Sequence, residues 1–325
     1  MISVAMCTYN GESYLTAQLE SIAQQSCPVD ELVICDDRSS DRTVAILKDF
    51  AEKAPFSMKI VVNEVNLGST KNFEKALSLC KGDVLFLSDQ DDVWRHDKVE
   101  RILAYFEENP SHDAVFTNAD LIDGNGSLKP GTLWESFGFD AQKQALWKAG
   151  GANEILFSGY IVTGATMAIK RAVVKELSPF PLHLRHYIHD AWIALALGVR
   201  NRIGFIDDTL ISYRIHESQQ VGFGKQEAYV TLRDRMKRDR ALKLTPLKNR
   251  AELLGNLFAL LERLDGVRPE TLSTLKCMQG HFEKRAQLPD NRLFRLGPVV
   301  LEGIKGNYRF SSEHWWLPLL GDLFE

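Results

Sequence analysis

Short apolar runs alternate with longer amphipathic stretches through the first hundred residues. Ile2–Cys7, Glu31–Cys35, Met58–Val62 and Val84–Leu87 have the length and β-branched character of buried strands. Tyr14–Gln25, Arg42–Lys53, Thr70–Cys80 and Lys98–Glu107 carry apolar residues at helical spacing. The resulting βαβα order predicts an α/β fold on a doubly wound, mainly parallel sheet with right-handed crossovers. Ligands of such sheets bind beyond the carboxyl ends of the strands, so the polar residues just after each apolar run are where chemistry is expected.

The rhythm then changes. Asp113–Thr117 reads as a fifth strand and Asp123-Gly124-Asn125-Gly126 as a turn. Trp134–Asn153 lacks a clear period and is expected to be a loop or lid. Gly164–Ile169 resumes as a strand, Asp190–Leu197 as a helix and Ile203–Tyr213 as strands. From about Ala228 the chain becomes Arg/Lys-rich and helical, notably over Leu247–Leu264, which places a boundary near residue 225. The expected organisation is an α/β domain over 1–225 and a C-terminal helical extension over 226–325.

Composition narrows the class. Forty-five percent apolar and 25% charged residues in a chain of 325 supply a core and do not indicate disorder. A net charge of −4 gives no global basic field, so no nucleic-acid partner is expected. Cys7, Cys27, Cys35, Cys80 and Cys277 are odd in number and form no CxxC pair, which suits a reducing cytoplasm. The first residues read as a strand and not as a signal peptide, and no segment reaches the roughly 20 apolar residues of a spanning helix.

Two acidic clusters follow predicted strands. In Cys35-Asp36-Asp37-Arg38-Ser39-Ser40-Asp41, helix capping accounts for one acid; the adjacent pair at a strand end suits hydrogen bonds to a nucleoside. In Ser88-Asp89-Gln90-Asp91-Asp92, three carboxylates would repel one another unless a cation or donors lay among them. Hard oxygen ligands of this kind suit Mg²⁺ or Mn²⁺, which take one or two carboxylates plus substrate phosphates. A solvated acidic turn is the bland alternative.

Strand-Thr8-Tyr9-Asn10-Gly11, Asp36-Asp37-x-Ser39-x-Asp41-x-Thr43 and Asp89-x-Asp91-Asp92 resemble, in order and spacing, glycosyltransferase family 2, whose members are inverting enzymes of the A-type nucleotide-sugar fold. The resemblance spans about the first 220 residues and departs from the commonest pattern at Arg38, where glycine is usual. It implies that Thr8, Tyr9 and Glu12 cradle the base, that Asp36 or Asp37 binds the base or ribose, that Asp89 contacts the ribose, and that Asp91 holds the metal. His189-Asp190-Ala191-Trp192 matches the position of the general base, which makes Asp190 the candidate catalytic residue, although a lone Asp there also reads as a helix N-cap. His189 in place of the commoner Glu resembles a subgroup rich in rhamnosyltransferases. Tyr213-Arg214-x-His216 is similar to the late histidine that completes the metal or diphosphate site. Gly164, Asp92, Trp192 and Arg214 are the expected sugar- and acceptor-binding residues.

The implied reaction moves a sugar from a nucleotide-sugar, dTDP-rhamnose or a UDP-hexose, to a hydroxyl of a glycan or lipid-linked acceptor in surface polysaccharide synthesis. A nucleotidyltransferase is the rival enzyme, but the loop after the first strand, Thr8-Tyr9-Asn10-Gly11-Glu12, lacks the basic residue a triphosphate needs. An inactive sugar-nucleotide-binding scaffold is the other rival. The basic residues Arg233, Arg235, Lys237, Arg238, Arg240 and Lys243, with Trp315-Trp316, suggest peripheral contact with the inner face of the cell membrane, against the plainer reading of a solvated helix and a packed tail.

Overall fold

The computed structural model describes residues 1–182, 184, 187–216, 240–312 and 314–324, the side chains of 240–242 excepted. The chain divides into two compact units, Met1–Phe223 and Gly224–Glu325.

The first unit begins with the expected alternation: β1 (Ile2–Thr8), α1 (Leu15–Ala23), β2 (Glu31–Asp36), α2 (Thr43–Ala51), β3 (Ser57–Val62), α3 (Ser69–Leu79) and β4 (Val84–Ser88). There follow β5 (Val93–Trp94), α4 (Lys98–Glu108), β6 (Ala114–Ile122) and β7 (Leu128–Thr132). Strands β3-β2-β1-β4 are parallel neighbours, and β2, the most enclosed, has all six residues buried, hence its unbroken apolar run. Beyond β4 the sheet is mixed. Among the described residues its order is β3-β2-β1-β4-β8-β6-β9-β5, with β7 paired to β6. Here β8 (Ala168–Lys170) lies antiparallel to both β4 and β6, while β9 (Ile203–Arg214) runs parallel to β6.

The stretch expected as a loop or lid is helical: α5 (Leu133–Phe137), α6 (Ala141–Leu146), a π turn at Trp147–Gly151 and α7 (Ala152–Ser158). Aromatic packing organises it. Phe116, Trp134, Phe139, Trp147 and Phe205 meet edge-on or tilted, with centroids 5.0–5.9 Å apart. A reciprocal capping box between Thr132 and Glu135 starts α5, and Asp140 caps α6.

Gly164–Ile169 also departs from a simple strand. Gly164–Thr166 forms a 3₁₀ turn, because the Gly164 N–H is taken by the Asp190 carboxylate and Thr166 Oγ1 bonds back to Thr163 O, leaving a three-residue β8. After α8 (Arg171–Leu177), α9 (His189–Gly198) is buried along its whole length, as an all-round apolar helix must be.

The second unit is helical: α10 (Arg240–Leu261), α11 (Pro269–Ala286), α12 (Arg292–Ile304) and α13 (Trp316–Phe324). Helices α10 and α11 pack together through Leu254, Leu257, Leu261, Leu275 and Met278. Arg233, Arg235, Lys237 and Arg238 lie outside the described residues, as does the side chain of Arg240. Lys243 is not a free lipid contact: its ammonium donates to Gly321 O at 2.8 Å and pairs with Asp322 at 3.5 Å. No described helix is long and apolar enough to cross a membrane.

Candidate functional site

The carboxyl ends of β1 and β2 carry a loop system fastened from within. Asp36 is fully buried; its carboxylate accepts from Thr8 Oγ1 at 2.8 Å, Ser39 N at 2.8 Å and Ser39 Oγ at 2.5 Å. Asp37, 4% exposed, accepts from Asn63 Nδ2, Leu67 N and Gly68 N at 2.7–2.9 Å. Arg38 sits at φ 69°, the left-handed region that explains why glycine is usual there. Glu12 accepts from Arg42 N at the start of α2. In these bonds the Asp36, Asp37 and Glu12 carboxylates hold loops and the Thr8 hydroxyl donates to Asp36, at the strand ends where the nucleotide is expected. Tyr9 presents its ring, 52% exposed, while the Gln90 amide pairs with both its N–H and its C=O at 2.9 and 3.0 Å.

The cluster after β4 is built differently. No described group donates a hydrogen bond to the Asp89 carboxylate, whose pKa is pushed up to about 8, by loss of water first and then by Asp91 and Asp190. Asp92, 1% exposed, accepts from Arg214 N at 3.0 Å through Oδ1 and has no partner at Oδ2. Burial, then Asp91 and Asp89, raises its carboxyl well above the usual range. Asp91 Oδ2 lies 2.8 Å from His216 Nε2, and the His216 ring packs 4.9 Å from that of Tyr14. Beneath the cluster, Lys98 at the start of α4 is fully buried, with its ammonium 4.1 Å from the Trp94 ring. Burial lowers it to about 7 against the opposing pull of Asp92 and Asp89, and it donates to Ala165 O at 2.8 Å.

Asp190, in the first turn of α9, is 3% exposed and firmly held. Its Oδ2 accepts from the Tyr160 hydroxyl and from Gly164 N at 2.8 Å, and its Oδ1 accepts from Ala191 N at 2.7 Å. A Cβ on Gly164 would come 2.8 Å from His189 Nε2 and 3.3 Å from the Asp190 side chain, so only glycine admits this approach. His189 stacks on Phe73 at 3.9 Å, both its ring nitrogens lack partners, and burial pushes its pKa down.

Three of the residues expected at the sugar and acceptor make their bonds within the chain. Gly164 spends its N–H on Asp190. Trp192 is 3% exposed in the core, its indole N–H near Leu177 O at 3.4 Å. Arg214, 5% exposed, donates to Asp91 O at 2.7 Å and Asp123 O at 3.0 Å and lies over the Tyr14 ring, tying β9 to the acidic loop. Asn63 and Lys98 were not singled out from the sequence, and Gln90 only as a spacer within the acidic motif. Lone polar residues without a motif signal nothing locally; Tyr160, in the segment Gly159–Thr166 that resembles the family's sugar-contacting loop, is the exception.

The donor set fits a hard divalent cation. Asp91 Oδ2 and His216 Nε2 converge, and among the described residues no group of three or more such side chains forms a closed cage. One carboxylate and one imidazole suit an ion whose other positions are filled by phosphate oxygens and water.

Residues 3–178, more than half of the chain, match the family model described as glycosyl transferase family 2. The dTDP-rhamnosyl transferase RfbG of Shigella flexneri is 29% identical over 228 residues, covering 67% of this chain and 73% of that relative. Among solved structures, S. aureus TarS 1-349 in complex with UDP-GlcNAc superposes with a TM-score of 0.57 at 19% identity, over 99% of this chain and 80% of that one. The mannosyltransferase PcManGT from Pyrobaculum calidifontis, in complex with GDP-Man and Mn²⁺, gives 0.52 at 15% identity, over 99% and 84%. The two structures share the fold, and the family match carries the rest: the chain belongs to the glycosyl transferase family 2 enzymes.

Proposed function

We propose that the protein transfers a sugar from a nucleotide-sugar to a hydroxyl of a glycan or lipid-linked acceptor, in one displacement that inverts the anomeric carbon. The observation that carries the reading is the Asp190 carboxylate, held by Tyr160, Gly164 and Ala191 against the turn whose next residue, Ala165, accepts from Lys98 beside the Asp89–Asp92 cluster. Asp190 takes the acceptor proton as the hydroxyl oxygen bonds to the anomeric carbon, and the bond from that carbon to the diphosphate oxygen breaks on the opposite side. A Mg²⁺ or Mn²⁺ ion held by Asp91 and His216 would supply positive charge for the departing nucleoside diphosphate. Asp89 faces the ribose, and the open ring of Tyr9 packs on the base.

The favoured donor is dTDP-rhamnose, with UDP-hexoses next. His189 before the base and the similarity to RfbG support that order. A lipid-linked acceptor places the enzyme in the cytoplasm at the inner face of the membrane. The test is a panel of nucleotide sugars offered to the purified chain with and without Mn²⁺, read by donor hydrolysis and thermal stabilisation. Metal-dependent hydrolysis of one donor supports the reading. Binding without turnover of any donor or acceptor would favour the inactive scaffold, and pyrophosphate release from a nucleoside triphosphate the nucleotidyltransferase.

A further inference from the structure

Helix α12 is turned inside out. Its two charged interior residues point inward: Arg295 donates to the carbonyls of Pro289, Asp290 and Asp322 at 2.7–3.2 Å. Glu302 accepts from Lys284 Nζ at 2.7 Å and Asn307 Nδ2 at 2.9 Å, and meets His281 Nδ1 at 2.9 Å. The opposite face is apolar and open, with Leu293 83% and Ile304 80% exposed, joined by Phe294, Leu296, Val300 and Leu301. At about 100° per residue these six cover an arc of about 160° with no charge inside it. A surface helix ordinarily shows water its polar side, so the reversal asks what covers this face.

The charges at its borders answer that. On the same wheel Arg292 stands at one edge of the apolar arc and Lys305, just past the helix, at the other; both are exposed. Within residues 291–312 the sole acid is Glu302, which is buried and paired, so the exposed charge there is entirely basic. Trp315 and Trp316, each about half exposed, follow. An apolar arc between basic residues whose stems can lie along it, with tryptophans nearby, is the chemistry of an anionic lipid surface. A second copy fits less well: two such helices paired antiparallel would set Arg292 against Lys305 at both ends.

From this pattern we infer that the outer face of α12 is a membrane-docking surface that lies in the interface of an anionic bilayer, its apolar arc among the acyl chains and Arg292 and Lys305 at the headgroups. The inference deepens the lipid-linked acceptor reading, because a lipid-borne acceptor is reached from the surface on which α12 rests, but it is tested separately from it.

The probe is flotation of the full chain with vesicles of phosphatidylcholine containing phosphatidylglycerol, and with phosphatidylcholine alone. Wild-type chain should float with the anionic vesicles and be partly released by high salt. Leu293→Ser combined with Ile304→Ser should weaken binding by about a hundredfold, since each buried apolar side chain carries about tenfold. Arg292→Gln and Lys305→Gln should each cost about fivefold at low salt and little at high salt. Thermal melting and nucleoside diphosphate binding of the same variants, none in the catalytic machinery, control for folding. Equal flotation of wild type and the serine variant overturns the surface. So does a wild-type dimer that the serine substitutions split in the absence of vesicles, because the face then joins two copies. Flotation by a chain that turns over no nucleotide sugar would leave the surface standing and remove the catalytic reading; turnover without flotation does the reverse.

Discussion

Two acidic clusters stand at strand ends on either side of β1, one after β2 and one after β4, and they are built in opposite ways. After β2, both oxygens of Asp36 and of Asp37 accept hydrogen bonds from the chain itself. After β4, no described group bonds the Asp89 carboxylate, one oxygen of Asp92 is bare, and the nearby cation Lys98 spends its donor on Ala165. Carboxylates ringed by N–H groups are a fastener; carboxylates buried without donors are held toward the protonated form and take up charge when a cation or donor arrives. Residue type and spacing alone do not separate the two.

The largest test of that contrast lies at Asp190, the carboxylate that faces the open cluster. Asp190→Asn removes the basic site and turns an amide N–H₂ toward the Gly164 or Ala191 N–H, so transfer should fall about 10²–10⁴-fold, with the melt and donor affinity read alongside to separate loss of the base from loss of local structure. Ile188 and not Asp190 occupies the N-cap of α9, so transfer within a few-fold of wild type would leave Asp190 only its structural bonds to Tyr160, Gly164 and Ala191 and remove it as the base. Next comes Asp91→Ala. Loss of a direct metal ligand should weaken Mn²⁺-dependent binding of nucleoside diphosphate by about 10–100-fold or more in calorimetry, while leaving the metal-free melt near wild type. Unchanged metal-dependent affinity would remove Asp91 from the site. The smallest effects carry the sharpest sign. Asp37→Asn places an amide N–H₂ against N–H donors and should destabilise the chain by about 1–3 kcal/mol in denaturant titrations. Asp89→Asn relieves repulsion from Asp91 and Asp190 and should stabilise the metal-free chain by about 1 kcal/mol. Two shifts of the same sign would erase the distinction.

The parallel half of the sheet was legible because β1, β2 and β4 are largely buried and carry near-continuous apolar runs, while edge strand β3 still shows β-branched residues at Ile60, Val61 and Val62. The helices over Leu133–Ser158 were not. Their packing is carried by a few large aromatic rings at irregular spacing, although Thr132-x-x-Glu135 is a capping box that a closer reading of the sequence finds. Antiparallel β8 was read too long because nothing local reveals that an N–H at Gly164 is claimed by a side chain 26 residues later. At the site the acidic motifs were visible, but their division of labour was not. It depends on donors such as Asn63, Leu67 and Gly68, which reach Asp37 only once α3 has packed on the sheet. Trp192, expected at the ligand, lies in the run Ala-Trp-Ile-Ala-Leu-Ala-Leu, which is apolar all round, the pattern of a helix enclosed on every side. Arg214 shows the converse limit: a cation at a strand end can be consumed by backbone carbonyls that leave no trace in the sequence.

The pairing of Gln90 with Tyr9 has a thermodynamic consequence. One side-chain amide engages both backbone groups of Tyr9, as a neighbouring strand would, so the residue that offers its ring is held in place without any ligand. The entropy of ordering this loop is lost once, when the chain folds, and a base that stacks on the ring does not lose it again. Gln90→Ala should therefore leave the contacts of the bound state intact and still weaken binding through a more unfavourable entropy, while the complementary surface and the binding enthalpy stay as they were.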